Sequence, residues 1–146
     1  MTAEVQKRIF LLILLILHHG DANMNRDEMQ SKIESYHFWD ARVLYLNCCH
    51  FADEIELAFY DDNKEVVYNF LGCYKSLFNH VVNYDKLRPT KEMTVAQVPY
   101  FIQEINVDMV VEDSISFYVC KIDMFPLNLE IWCKDIKVIS KPSHSA

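Results

Sequence analysis

The stretch Glu54–Lys75, EIELAFYDDNKEVVYNFLGCYK, decides the fold. Ile55, Leu57 and Phe59 alternate with Glu54 and Glu56. A period of two puts apolar and acidic side chains on opposite faces of a β-strand. The four residues Asp61–Lys64, DDNK, read as a turn, because Asp and Asn bond to their own main chain and tolerate tight backbone geometry. A second strand-like run follows at once, so the two form an antiparallel hairpin with a loop of about four residues.

The pattern repeats downstream. INVDMVV at 105–111, a turn at Glu112–Ser114 and ISFYVCKI at 115–122 make a second hairpin. The last strand is LNLEIWCKDIKVI at 127–139, where Leu127, Leu129, Ile131 and Cys133 fall on odd positions but Ile136 and Val138 on even ones. A parity slip inside a strand implies a β-bulge, here near Lys134. Between the hairpins, SLFNHVVNYD at 76–85 reads as a strand and KLRPTKE at 86–92 as a loop, while TVAQVPYFIQ at 94–103 has no clean period. With only two Gly and four Pro, the turns must rely on Asn, Asp and Ser.

One helix is expected, over residues 26–36. Asn25 caps it, Asp27 and Glu28 sit where negative charge complements the helix dipole, and Met29 and Ile33 start an apolar stripe. Strands then follow one another without intervening helices, which argues against a parallel sheet. The expected fold is mainly β: an antiparallel sheet curled into a sandwich or open barrel, with the helix covering an end or an edge.

The 146 residues are one domain's worth, 51% hydrophobic and 13% aromatic, which excludes a disordered chain. A net charge of −7 argues against nucleic acid as a partner and suits a basic protein partner. Residues 1–23 stand apart. Lys7-Arg8 precedes a nine-residue apolar run, Ile9–Leu17, too short for the roughly 20 residues that span a bilayer. Gly20-Asp21-Ala22 is a small-x-small pattern, and Met24 opens an ordinary N-terminus. The segment is thus a leader, either a misassigned start or a signal-like segment. The β-rich domain is expected over 24–140 and a disordered tail over 141–146.

The five Cys, at 48, 49, 73, 120 and 133, are odd in number and contain no CxxC. They read as reduced thiols of a cytoplasmic protein, with export or a membrane tether as the alternative if the leader is a real signal. Cys48 and His50 are the two residues of CysCysHis that share a strand face. With His80 or Cys73 they are the weak elements of a metal site; no metal or cofactor is expected.

Chemistry-bearing residues cluster at two places. His37 and Asp40, three apart where helix gives way to strand, have the form of an imidazole oriented by a carboxylate. They would be the catalytic residues of a small hydrolase or metal-dependent enzyme. The structural alternative makes Asp40 a tie, its carboxylate joining the end of the helix to the first strand. No nucleophile or third group is fixed by sequence, so no catalytic residue is assigned. Asp53, Glu54, Glu56, Asp61 and Asp62 concentrate on one hairpin, as a solvated face or an acidic docking patch. Among Tyr60, Tyr74, Tyr84, Tyr100 and Trp132, the last lies on the polar face of its strand beside Glu130 and Lys134, the setting of a binding hot spot.

KIESYHFWDARV, YNFLGCYKSLFNHV, VPYFIQEINV and KIDMFPLNLEIWCKDIKV together resemble the YxiG-like family of small bacterial proteins, over about residues 29–139. The family's first motif tends to read Y-H-F-H-D. Trp39 replaces the second His here, while His37 and Asp40 remain. The family brings no established activity to carry over. Similar small β-proteins are often encoded beside bacterial toxin genes, so the resemblance implies an immunity or accessory role. The expected function is a non-catalytic, acidic protein-interaction module.

Overall fold

The computed structural model describes residues 2–9, 24–82 and 88–142. Residues 3–9 are helical and exposed, with Glu4 and Arg8 paired at 3.8 Å. The rest of the leader, 10–23, and the end of the expected tail, 143–146, lie outside the described residues.

From Asn25 the chain runs through helix α1 (Arg26–Glu34) and strands β1 (Ala41–Cys49), β2 (Glu54–Asp61), β3 (Lys64–His80), β4 (Phe101–Ile102), β5 (Glu104–Glu112), β6 (Ile115–Met124) and β7 (Leu127–Pro142). All the strand pairings are antiparallel, in one seven-stranded sheet of order β4-β1-β2-β3-β7-β6-β5. Gln103 alone separates β4 from β5, which lie at opposite ends of that order. One residue spans only about 3.5 Å, so the sheet must curl until its two ends meet at this corner. The Gln103 N–H pins the corner by donating to the Asp123 carbonyl at 2.7 Å. The sheet is a curled, unclosed barrel, as the period-two runs and short turns lead one to expect.

Alternation fills the interior. Ile55, Leu57 and Phe59 of β2 meet Val66, Tyr68 and Phe70 of β3, with Ile105, Val107, Cys120, Ile122, Leu129 and Ile131 from the other strands. Helix α1 joins this core through Met29 and Ile33, both fully buried, each worth about 1.5–3 kcal/mol of apolar burial. The Asn25 side chain accepts from the Glu28 N–H at 2.8 Å, as a cap should. The helix ends at Glu34, two residues short of expectation.

The helix also covers an edge. Strand β5 has a neighbour, β6, on one side only. On the other side the Gln30 amide donates to the Ile105 carbonyl and accepts from the Val107 N–H, both at 2.8 Å. Arg26 Nε donates to the Val107 carbonyl at 2.8 Å. These side chains stand where a further strand would, and satisfy main-chain groups that would be costly to bury unpaired. Lys32 Nζ donates to the Ile136 carbonyl, and Tyr68 OH to that of Ile33.

Both hairpin loops are shorter than expected. Asp61 pairs with Lys64, leaving Asp62-Asn63, and Glu112 pairs with Ile115, leaving Asp113-Ser114. Asp113 and Ser114 both have positive φ (51° and 65°), the two-residue geometry that matches strand twist. Strand β3 absorbs the expected strand at 76–85 as far as His80. The aperiodic stretch forms two 3-10 turns, Thr90–Glu92 and Val95–Gln97, before β4. Lys141 and Pro142, expected in the tail, instead extend β7. Pro142 pairs with Lys64, and Lys141 Nζ reaches Glu65 at 3.0 Å.

The parity slip is present at Lys134, but two strands share it. The core face passes from Ile136 to Cys133 on β7 and from Phe70 to Cys73 on β3, its partner. Gly72, opposite this kink, has φ +61°, and a Cβ there would lie 3.2 Å from that of Lys134. Both the positive φ and the close Lys134 side chain favour glycine at this position. The bulge itself lies on β3 and not on β7. Register shifts between Cys73 and Lys75, with Tyr74 as the extra residue.

Candidate functional site

The kink creates the site. The β6–β7 ladder ends at Tyr118 and Cys133, although β6 continues to Ile115 and β7 follows β3 onward. Where the two strands part, a cleft of ≈ 470 Å³ opens, lined by Asp53, Glu54, Gly72, Cys73, Tyr74, Glu112, Asp113, Ile115, Phe117 and Lys134. Four carboxylates face one cation there.

The bulge aims Tyr74 into this cleft. Its ring stacks on Phe117, with centroids 4.8 Å apart and planes at 22°. Its hydroxyl donates to Glu112 Oε1 at 3.4 Å, and it remains 56% exposed. A rigid aromatic with a polar tip beside carboxylates is the kind of group that anchors protein interfaces.

Beside the cleft, the β1–β2 connection is strained. His50, Phe51 and Ala52 have φ of 51°, 57° and 68°. Left-handed backbone costs about 1–2 kcal/mol per non-glycine residue. The Phe51 side chain gains no burial in return, since it is fully exposed at 107%. Two main-chain bonds fix the tip to the cleft wall: the Asp53 N–H donates to the His50 carbonyl at 3.1 Å, and the Asp53 carbonyl accepts from the Cys73 N–H at 2.9 Å. Backbone strain with no return in side-chain burial makes this tip a candidate for function.

The five hairpin carboxylates do not form one patch. Asp53 and Glu54 line the cleft, and Glu56 pairs with Asn47 and Asn69. Asp61 and Asp62 lie at the other end of β2, roughly 23 Å away at the rise of a strand. Asp61 is structural: its Oδ2 accepts from the His37 N–H at 3.0 Å. This is the tie expected of Asp40. Asp40 itself acts through main chain, with its N–H on the Ile102 carbonyl at 2.8 Å and φ of 59°, a left-handed value that Asp tolerates. His37 and Asp40 are both exposed, and among the described residues no hydrogen bond joins their side chains. The His37 ring lies beside Trp39 instead, centroids 5.5 Å apart.

Trp132 is half-buried and is not among the residues that line the cleft. Lys75 Nζ sits 5.0 Å from its ring centroid, and its Nε1 donates to Glu130 Oε2 at 3.4 Å. It pairs with Val119, two residues along β6 from Phe117. Tyr100 bonds His80 Nε2, and Tyr84 lies outside the described residues.

All five cysteines are free, and only Cys48 is exposed. Burial pushes up the thiols of Cys49, Cys73, Cys120 and Cys133, that of Cys73 to about 11, the reverse of what a thiolate nucleophile needs. Among the described residues, no group of three or more His, Cys, Asp or Glu is placed to hold a metal ion, and no helix is long and apolar enough to cross a membrane.

Residues 25–140, from the helix cap to the end of the last strand, match the family described as Immunity protein PIM7. The chain belongs to the PIM7 immunity protein family. The match takes in the cleft, the strained tip and the kink that joins them. A search of curated proteins finds no match.

Proposed function

We propose that this PIM7 immunity protein neutralises a protein toxin by binding it, without catalysis, through the acidic cleft and the Phe51 tip. Membership of an immunity family supports the class of function. The observation that supports the surface is Phe51, held fully exposed on three consecutive left-handed residues that run straight into Asp53, which lines the cleft with Glu54, Glu112 and Asp113. The toxin surface it fits is basic, with an apolar recess for Phe51. The carboxylates speed and orient encounter, and the aromatics supply desolvated contact. Five free cysteines support action in a reducing compartment, the cytoplasm. Co-expression tests the function. Cells producing the cognate toxin should grow only when the full chain is also present, and Phe51→Ala with Tyr74→Ala should abolish protection while the protein stays folded. Equal growth without the chain would refute the proposal.

A further inference from the structure

The geometry points to strand addition at the outer half of β5, where an extended basic segment of a partner protein would lay itself along Asp108–Glu112 as an eighth strand. The inference rests on the protein-binding reading above and specifies how the partner is held. Helix α1 covers only part of the β5 edge. The N–H of Val107 and the carbonyls of Ile105 and Val107 take their partners from Gln30 and Arg26. Main-chain groups on one side of a strand recur every second residue, and the β5–β6 register runs unbroken from Glu104 to Glu112. Met109 and Val111 therefore present their N–H and C=O groups along the same edge, beyond the last side chain that α1 supplies. Among the described residues neither has a hydrogen-bond partner on that edge.

Natural edges are guarded by lysine, proline, bulges or a covering element. Residues 108–112, DMVVE, contain no lysine or proline and no bulge. Val111 is 70% exposed, with Met109 and Ile115 open beside it. Charge selects the occupant. Residues 104–114 carry Glu104, Asp108, Glu112 and Asp113 and no Lys or Arg. Arg26 lies 3.8 Å from Asp108, Lys121 pairs with Asn106 from β6, and Lys134 lines the cleft with Glu112 and Asp113, so the carboxylates of this strand still outnumber the cations around it. A second copy of this strand would oppose carboxylate to carboxylate, whereas alternating basic and apolar residues would match both the charge and the exposed valine.

The test uses the full chain and an alternating lysine–valine peptide as probe, with a glutamate–valine peptide as control. Amide hydrogen exchange at Met109 and Val111 should slow by about tenfold or more when the lysine peptide binds, as for any amide entering a ladder. The glutamate peptide should have no effect. Val111→Pro removes an outward N–H while sparing the β6 ladder, and should weaken peptide binding about tenfold. Asp62→Asn, exposed at the far end of β2, should leave it unchanged. Unchanged exchange at both amides, equal slowing by the glutamate peptide, or undiminished binding by a folded Val111→Pro would each overturn strand addition. None of these outcomes bears on whether the chain protects cells, so the two proposals fail separately.

Discussion

The two ends of this curled sheet obey different rules. At the end sealed by α1, Phe38, Met29 and Ile33 are fully buried and Gln30 satisfies the main chain of a bare edge. At the end where β6 and β7 part, Phe51 is bare, three consecutive residues are left-handed, and carboxylates crowd one another. The first end is built for stability. The second gives stability up, and the concession falls where a partner of opposite charge can use it.

The sharpest test of this contrast is a large cavity at the sealed end. Phe38→Ala should cost about 3–5 kcal/mol in denaturant unfolding, and whatever remains folded should bind its toxin with unchanged affinity. Gln30→Ala should cost about 1–3 kcal/mol by stranding Val107 N–H and Ile105 C=O, again without effect on affinity. At the open end the signs reverse. Phe51→Gly should relieve left-handed strain and raise stability by about 1 kcal/mol while weakening toxin binding at least tenfold. A Phe51→Gly protein less stable than its parent would erase the distinction between the ends. The smallest effect concerns pH. Burial raises the Cys73 pKa from 9.0 to about 11, so the unfolded chain loses this proton first. Stability should be unaffected below about pH 9 and fall between there and pH 11. Cys73→Ser should flatten part of that slope.

Much of the fold was legible because it is periodic. The hairpins, the Asn25 cap, the Met29–Ile33 stripe and the parity slip at Lys134 are all local patterns. The slip was misattributed to β7 alone because a single strand's alternation carries no information about its partner, and the extra residue, Tyr74, sits across the ladder. The site was less legible. Asp53 and Glu54, read as part of one acidic patch, line the cleft and Trp132 does not, while Tyr74 and Phe117 meet only through strands distant in sequence. His50-Phe51-Ala52 contains no glycine or asparagine to announce left-handed backbone. A signal did exist: CCHFADE joins two strong strands with no glycine, asparagine or proline and no turn-forming residue before Asp53, which itself suggests strain. The Asp40 tie failed for a different reason. Position marked the corner correctly, but the carboxylate that closes it, Asp61, comes from 21 residues further on.

The central claim is that the parted end is the binding surface. Calorimetric titration of the cognate toxin into the full chain and into a Glu54→Gln, Glu112→Gln, Asp113→Asn variant tests it most directly. These substitutions keep side-chain shape and remove charge. The expected result is an affinity lower by at least about tenfold at low salt, narrowing as salt rises and screens the parent, with unchanged thermal unfolding. Equal affinity at both salt concentrations would contradict the claim and move the binding surface elsewhere on the molecule.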